Sequence, residues 1–263
     1  LESRLGRPVV LAQHCEVNEL AEGGHMHEGE WSSFLGIPGQ PSEAEELMVL
    51  RDIALSKMTG ARIHFQHLST LGSVQMVREA KAAGLPVTAE ATTHHFTLTD
   101  SACSCYDPVF KVHPPLRTES DVKAIKEGLA DGTIDAIATD HAPHSQHSKE
   151  MPFDQAPPGM LGLETALSLS LEHSGLDLPG VLELLSWQPA KIAGVDDRHG
   201  ITVEKGNPAN LCVIDLDETW TVSGKEMSSR SSNTPYEGWN LRGRVRHTIN
   251  NGLLVVFDGE SNK

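Results

Sequence analysis

Residues 134–144 read Ile-Asp-Ala-Ile-Ala-Thr-Asp-His-Ala-Pro-His, an apolar run that ends in an acid and two histidines. The apolar part predicts a buried strand, because short runs of this kind are typical of parallel sheets that are covered on both faces. Asp140 then stands at the carboxyl end of the strand, and His144 follows four residues later. Active sites of α/β barrels lie at this end of the strands, so Asp140 is a candidate catalytic residue.

Two earlier apolar segments end in the same way. Residues 9–13 precede His14, and residues 61–66 precede His67. Neutral imidazoles and carboxylates are the ligands that catalytic zinc takes, and water bound to such a metal loses its proton near neutral pH. The pattern predicts a metal-assisted hydrolase with His14, His67 and Asp140 as ligands. The alternative for each residue is a hydrogen-bonded position at a strand end.

Composition excludes several classes of function. The chain has 263 residues, 38% of them hydrophobic, and a formal net charge of −15, which argues against a nucleic-acid partner. Apolar runs all stay well short of the ~18 residues of a membrane span, and we find no signal peptide, so we expect no membrane association. The four cysteines are too few and too irregular for a disulfide framework. We therefore expect a cytoplasmic protein.

Strands and helices alternate over residues 1–200, which predicts parallel βαβ units. The predicted strands cover residues 8–14, 62–67, 85–90 and 134–139, and the predicted helices cover residues 42–59, 71–83, 119–130, 162–174, 178–186 and 189–193. Four strands are half of an eight-stranded barrel. An open doubly wound sheet is the alternative, but no glycine-rich phosphate loop follows any strand. Residues 201–263 contain short β-type runs and a hairpin turn, which predict a small separate β element.

Three further features are candidates for the site or for local structure. The two prolines of the segment Lys111–Arg117 restrict its backbone, so His113 is expected at a fixed position. Pro158 and Gly159 precede a predicted helix and are candidates for backbone contact with a substrate. Ser42 and Glu45 have the spacing of a capping box at the start of a helix.

A series of motifs carries a family resemblance. They are Gln13-His14-Cys15-Glu16, His27-Glu28-Gly29, Leu35-Gly36-Ile37-Pro38-Gly39, Gln66-His67-Leu68-Ser69-Thr70, Val87-Thr88-Ala89-Glu90, Lys111-Val112-His113-Pro114-Pro115-Leu116-Arg117, Asp131-Gly132-Thr133-Ile134-Asp135 and Ala138-Thr139-Asp140-His141-Ala142-Pro143-His144. In this order they resemble the class I bacterial dihydroorotases of the amidohydrolase superfamily, over nearly the whole chain.

The resemblance implies a distorted TIM (β/α)8 barrel of the metal-dependent hydrolase type, of which this chain carries strands five to eight, and a small β-sandwich. It implies a binuclear zinc site with His14, His67 and Asp140 among the ligands, and Asp140 as the acid and base of catalysis. It also implies substrate contacts from four residues: His113, His144, Pro158 and Gly159.

Two features depart from the family pattern. The His-x-His pair of the first strand, with its substrate arginine, and the bridging carboxylate of the fourth strand have no counterpart and would lie upstream of Leu1. We therefore expect the chain to be the later part of a longer protein and inactive alone. Position 113 is usually Asn in the family and is His here. An imidazole can donate or accept one hydrogen bond but cannot do both as an amide does.

The implied activity is the reversible hydrolysis of dihydroorotate to N-carbamoyl-aspartate in pyrimidine (UMP) biosynthesis. One alternative is a hydantoinase or allantoinase, which opens a related cyclic amide with the same metal chemistry. Another is a non-catalytic, dihydroorotase-like scaffold that supports aspartate transcarbamoylase. Homodimerisation and binding to that transcarbamoylase are the partner hypotheses, beside the small-molecule substrate.

Overall fold

The computed structural model describes residues 9–200 and 202–261, so residue 8 of the first predicted strand lies outside the described residues. In chain order the strands are β1 (Val10–Gln13), β2 (Met26–His27), β3 (Gly39–Gln40), β4 (Arg62–Phe65), β5 (Val87–Thr92), β6 (Ala136–Ala138), β7 (Leu211–Thr221), β8 (Asn240–Asn250), β9 (Leu253–Phe257) and β10 (Glu260–Ser261).

The helices alternate with these strands over the first part of the chain. They are α1 (Asn18–Ala21), α2 (Glu30–Leu35), α3 (Glu43–Thr59), α4 (Leu71–Ala82), α5 (Thr93–Thr97), α6 (Glu119–Asp131), α7 (Gln146–Lys149), α8 (Ala166–His173), α9 (Leu178–Leu182) and α10 (Gln188–Ala193). A π-helical stretch, Glu183–Trp187, joins α9 to α10. In the parts of the chain that the structure describes, no helix has the length and apolar character needed to cross a membrane.

The main sheet has the strand order β1-β4-β5-β6, and all its pairs are parallel. Each long connection between neighbouring strands contains a helix, as parallel pairing requires. The strand order follows the chain without a reversal, which is the order of successive strands in a (β/α) barrel. A doubly wound sheet reverses its order at a switch point. The sheet therefore supports the barrel prediction over the open alternative.

Alternation along the strands separates an apolar face from a polar face. Ile63, Phe65, Val87 and Ala89 are buried in one cluster with side chains of the helices that cover the sheet. His64 points to the other face, where its Nδ1 lies 2.9 Å from Thr88 Oγ1 and its Nε2 lies 3.0 Å from Glu90 Oε2. Successive side chains of a strand point to opposite faces, so this pattern follows from the sequence.

The helix α3 begins where the sequence predicts, but its predicted capping box is wrong. Ser42 makes no side-chain cap hydrogen bond. Its backbone oxygen accepts instead from the amide groups of Glu45 and Glu46, at 3.0 and 3.1 Å. The Glu45 side chain is buried and turned away from the helix start. The carboxylate that the capping box would have used accepts instead from the backbone amides of Ser69 and Thr70.

The helix predicted at residues 162–174 begins later, at Ala166. Gly162 lies against the end of β6, where a Cβ on it would come within 2.5 Å of the Thr139 carbonyl oxygen. The preceding residues also pair with this strand end, since the Ala142 amide donates to Met160 O at 2.9 Å. Residues 160–165 are thus held by the sheet, and the helix starts after them.

Residues 211–261 form an antiparallel sheet in the order β10-β9-β8-β7. The short β-type runs at residues 211–214 and 220–222 are not separate strands: residues 211–221 form the one strand β7, with register shifts, and Val222 follows it. The Asp215 carboxylate accepts from the amides of Asp217 and Glu218, at 2.9 and 3.1 Å, and these contacts stabilise the irregular part of the strand. Among residues 202–261 the structure shows this one sheet of the predicted β-sandwich, and the division at residue 200 stays a prediction.

Candidate functional site

The carboxyl ends of β1, β4 and β6 lie at one edge of the sheet, and the three predicted metal ligands follow them. His14 comes directly after β1, whereas His67 and Asp140 each stand two residues beyond their strand. His67 and Asp140 have positive φ angles, 35° and 41°. Non-glycine residues adopt such angles rarely and at a cost of about 1–3 kcal/mol, and these conformations cluster at functional sites. The backbone is therefore strained at two of the three positions.

The structure brings His14 and His67 together. Nδ1 of His14 lies 3.0 Å from Nε2 of His67, and the two rings are edge to face with centroids 4.8 Å apart. Two nitrogen ligands of one tetrahedral zinc ion would be about 3.3 Å apart, given zinc–nitrogen bonds of about 2.0–2.1 Å. The pair is thus close to the spacing that a shared metal ion requires.

Burial favours the neutral, metal-binding form of His67. Its pKa is lowered, first by burial and then by the neighbouring His14, although Asp140, Glu45 and Glu90 act in the opposite direction. The Nδ1 atom of His67 is buried without a hydrogen-bond partner. A metal-ligating histidine commonly donates from its second nitrogen. The second nitrogen of His14 does face an acid, since Glu16 Oε2 lies 3.7 Å from Nε2.

A buried carboxylate fixes the loop that carries His67. Glu45 on α3 accepts from the backbone amides of Ser69 at 3.1 Å and Thr70 at 3.2 Å, and from the hydroxyl groups of both residues. Arg117, which is also buried, donates from Nε to Ser69 Oγ at 3.1 Å and from Nη1 to Gln40 O at 2.9 Å. The buried charges of Glu45 and Arg117 are tolerated because both groups are hydrogen-bonded.

Asp140 is near this pair without completing a ligand set. Its carboxylate raises the pKa of His67 by its charge, and it is half-buried. Across residues 9–200 and 202–261, no group of three or more His, Cys, Asp or Glu side chains is arranged to hold one metal ion. The donor chemistry therefore fits a metal at His14 and His67 with further ligands from elsewhere, and the role of Asp140 stays a prediction.

The predicted substrate residues His144, Pro158 and Gly159 are also brought together. Nε2 of His144 lies 2.9 Å from the Pro158 carbonyl oxygen. Gly159 has a φ of 130°, and a Cβ on it would come within 2.6 Å of the Ala142 Cβ and 2.9 Å of His144 Nε2. Glycine is required at this position because its φ is positive and because a side chain would clash with Ala142 and His144. The Gly159 amide was predicted to be available to a substrate, but it donates to Lys111 O at 2.8 Å.

His113 lies on the wall of a cavity of about 650 Å³ that also has Pro158, Glu16, His25 and Lys111 in its lining. The Nε2 atom of His113 is buried and has no hydrogen-bond partner in the structure. Burial lowers its pKa, and the positive charge of Lys111 acts in the same direction, against the opposing effect of Glu16. His113 thus contributes to the cavity wall, while its Nε2 atom is buried and unpaired.

His94 and His95 are neighbours in α5, and both are buried. His95 Nδ1 lies 2.7 Å from Thr92 Oγ1, and its Nε2 lies 3.1 Å from the Pro114 carbonyl oxygen. The ring therefore joins the end of β5 to the loop that carries His113. Burial lowers the pKa of His95 to about 4.

Comparison with known proteins identifies the family. The model of the amidohydrolase family matches residues 36–255. The chain belongs to the amidohydrolase family. Among curated relatives, a dihydroorotase of Streptomyces coelicolor is 49% identical over 255 residues, which are 95% of this chain and 59% of the relative. A dihydroorotase of Pelotomaculum thermopropionicum is 47% identical over 254 residues, again 95% and 59%.

Solved structures of the amidohydrolase family resemble this chain closely in fold. An L-hydantoinase of Arthrobacter aurescens has a TM-score of 0.85 at 27% identity, and covers 97% of this chain and 58% of its own. A D-hydantoinase of Thermus sp. has a TM-score of 0.82 at 26% identity, with the same coverage. The fold is therefore of the TIM-barrel type, as predicted. The chain spans about three-fifths of the length of the curated relatives it matches.

Sequence reasoning missed two residues that fix the site. Glu45 has the spacing of a helix cap, and no pattern indicates that its carboxylate reaches the loop after β4. Asn233 lies in a stretch rich in Ser, Thr and Pro that is typical of an ordinary turn. Yet its amide contacts the loops of both His144 and Gly159. Neither contact has a signal in the neighbouring sequence.

Proposed function

We propose that this chain carries half of the active site of a zinc-dependent cyclic amidohydrolase. In our proposal the enzyme opens the ring of dihydroorotate to give N-carbamoyl-aspartate, in pyrimidine biosynthesis. The observation that carries the proposal is the convergence of His14 Nδ1 and His67 Nε2 at 3.0 Å, at the carboxyl ends of two parallel strands. Identities of 47–49% with dihydroorotases support the choice of substrate.

His14 and His67 would hold one of two zinc ions, and Asp140 would join the same centre. The remaining ligands would come from outside the described residues. Zinc, when bound, would supply Lewis acidity that polarises the ring carbonyl and lowers the pKa of a water molecule. A lowered pKa keeps His67 neutral near pH 7, and only a neutral imidazole has the lone pair that a metal ligand needs.

The reaction adds water across the ring amide. The water oxygen bonds to the ring carbonyl carbon, the carbon–nitrogen bond of the ring breaks, and the ring nitrogen takes a proton. Asp140 would accept the proton that water loses and deliver it to the departing nitrogen, as a general base and then a general acid. The reverse sequence closes the ring, so the same carboxylate serves both directions.

Substrate contacts would come from the cavity that His113 and Pro158 line and from the adjoining loop of His144. Dihydroorotate carries a carboxylate, and the His144 ring could donate to it from Nδ1. His113, on the cavity wall, would contact a ring amide group. Pro158, with the adjoining Gly159, would form the wall against the ring.

The test is an assay of the whole native protein to which residues 1–263 belong, with dihydroorotate as substrate. We expect Asp140→Asn to lower kcat by about 10²- to 10⁴-fold, as loss of a general acid–base residue does, with unchanged thermal stability. Near-wild-type turnover in this variant would contradict the mechanism. Zinc content is measured on the same samples, because a non-catalytic scaffold would hold no stoichiometric metal.

A hydantoinase is the second candidate, and the fold similarity to two hydantoinases supports it. Substrate charge separates the two. We expect His144→Ala to raise KM for dihydroorotate at least tenfold, because it removes the partner of the substrate carboxylate. A neutral hydantoin needs no such partner, so an enzyme that hydrolyses hydantoin and is indifferent to His144→Ala would favour the second candidate. Homodimerisation and an aspartate transcarbamoylase partner stay predictions.

A further inference from the structure

The side-chain amide of Asn233 bridges two loops of the candidate site. Its Oδ1 accepts from the backbone amide of His144 at 3.1 Å. Its Nδ2 donates to the carbonyl oxygen of Ala142 at 3.0 Å and to that of Gly159 at 3.2 Å. The backbone oxygen of Asn233 also accepts from Leu161 N at 3.0 Å. One residue therefore contacts the loop after β6 and the loop before α8 at four points.

The orientation of this amide follows from its partners. A backbone N–H can only donate, so the atom that faces His144 must be the oxygen. Two carbonyl oxygens can only accept, so the atom that faces Ala142 and Gly159 must be the nitrogen. Both protons of Nδ2 and one lone pair of Oδ1 are thus in use. Asp would retain the acceptor but have no donor, and a residue without a polar side chain would remove the partner of three backbone groups, of which the Gly159 carbonyl oxygen lies in a buried contact.

Asn233 is held in this position by its own segment. It is buried, with 7% of its surface exposed, and the neighbouring Tyr236 is wholly buried. Tyr236 and Val222 pack in one cluster with Met160, which follows Gly159 in the loop that Asn233 contacts, and with Leu169 on α8. The bridging amide therefore has a rigid support.

We infer that Asn233 is a positioning residue for substrate binding, which sets the spacing between His144 and the Pro158–Gly159 wall. This inference rests on the proposed function, in which a cyclic amide with a carboxylate binds between these two loops. His144 Nε2 lies 2.9 Å from Pro158 O, so a small opening of the loops changes the position of the imidazole that faces the carboxylate. The segment between β7 and β8 thus completes a site otherwise built on the parallel sheet.

The experiment compares Asn233→Ala and Asn233→Asp with Thr234→Val, in the whole native protein. Thr234 is a buried neighbour whose hydroxyl accepts from Tyr236 N, 3.3 Å away, within its own segment. We expect both Asn233 variants to raise KM for dihydroorotate at least tenfold and to change kcat less than threefold. Thr234→Val should leave both constants near those of the wild type. A fall in kcat at unchanged KM would overturn the inference.

Amide hydrogen exchange supplies a readout that does not depend on the substrate. In Asn233→Ala we expect the His144 amide to exchange at least tenfold faster, with Ser69 and Thr70 unchanged. In Asn233→Asp the acceptor for His144 is retained, so that amide should stay protected. Faster exchange throughout the chain would overturn the positioning role. An unchanged exchange rate at the His144 amide in Asn233→Ala would also overturn it.

The two readouts separate the inference from the proposed function. If the wild type does not hydrolyse dihydroorotate while exchange changes as expected, the proposed function fails and the bridge by Asn233 stands. If the wild type is active and the Asn233 variants keep their KM, the proposed function stands and the inference fails.

Discussion

His67 and His144 both follow a strand of the parallel sheet, yet their loops are fixed by groups from very different parts of the chain. The loop of His67 is held by Glu45, only 24 residues before Ser69. The loop of His144 is held by Asn233, 89 residues further along the chain. We call these the Glu45 side and the Asn233 side of the site.

The difference teaches how the site is assembled. The contacts of Glu45 join one helix to the loop after the next strand, which are neighbours in sequence, so they close a short loop. The Asn233 side is complete only after residues 222–239 have packed on the barrel part. Contacts between distant residues cost more entropy and are commonly formed later in folding. The Glu45 side and the Asn233 side therefore depend on different folding events.

The largest expected effect is on the Glu45 side. Glu45→Ala leaves the amides of Ser69 and Thr70 without their acceptor and removes a negative charge that acts on the buried Arg117 guanidinium. We expect the free energy of unfolding to fall by about 3–5 kcal/mol, measured by urea denaturation. The control is Glu43→Ala, an exposed acid in the same helical turn, with an expected loss below about 1 kcal/mol. Equal losses in the two variants would contradict the buried network.

Gly159→Ala tests the Asn233 side. The added Cβ would lie 2.6 Å from the Ala142 Cβ at a φ of 130°, so we expect a loss of about 2–3 kcal/mol from overpacking and strain. Gly84→Ala is the control, since its φ is 76° but no atom lies within 4 Å of its Cβ, and about 1 kcal/mol is expected. If both substitutions cost the same, crowding at Gly159 plays no part.

Combining the two sides sharpens the comparison. Glu45→Gln and Gly159→Ala alter groups that share no hydrogen-bond partner, so their effects on the free energy of unfolding should add within about 0.5 kcal/mol. A coupling well above that value, measured in a double-mutant cycle, would show that the two sides are one cooperative unit.

His95 should make the protein sensitive to acid. Its pKa in the folded state is lowered to about 4, whereas the unfolded chain has an ordinary histidine. Between about pH 6.5 and pH 4 the unfolded state binds a proton that the folded state does not, so stability falls as the pH falls. His95 should account for about 2 kcal/mol of the loss between pH 7 and pH 5.

The measurement is the free energy of unfolding at both pH values for His95→Asn and for His147→Asn, a control at an exposed position of α7. His95→Asn should lose less stability on acidification than the wild type, and His147→Asn should behave as the wild type does. The same pH dependence in all three proteins would show that His95 is not the responsible group.

The smallest expected effect concerns the acid beside His14. Glu16 Oε2 lies 3.7 Å from His14 Nε2, and loss of an outer-shell partner commonly lowers metal affinity by about 10- to 100-fold. Because this contact is long, we expect Glu16→Gln to weaken zinc binding about tenfold, which is the lower end of that range. The measurement is a competitive titration of zinc with a chelator. The control is Glu19→Gln. Glu19 lines the same cavity as Glu16 and His113, and this variant should bind zinc as the wild type does.

The sequence by itself determined the architecture and where the candidate residues stand. Apolar runs that alternate with amphipathic helices predict parallel βαβ units. Composition marks the strand ends locally, so the sequence places His14, His67 and Asp140 after strands. Period and composition act over a few residues, so they can be recognised without the fold.

Only the tertiary structure decided which groups fix those residues. The carboxylate of Glu45 accepts from the loop after β4 instead of capping its helix, residues 160–165 lie on the sheet instead of starting a helix, and Asn233 reaches the loops of His144 and Gly159. Each is a contact between segments far apart along the chain. A hydrogen-bonding group is compatible with many partners, and packing alone selects one of them, since a buried polar group must be paired with whatever the fold brings near it.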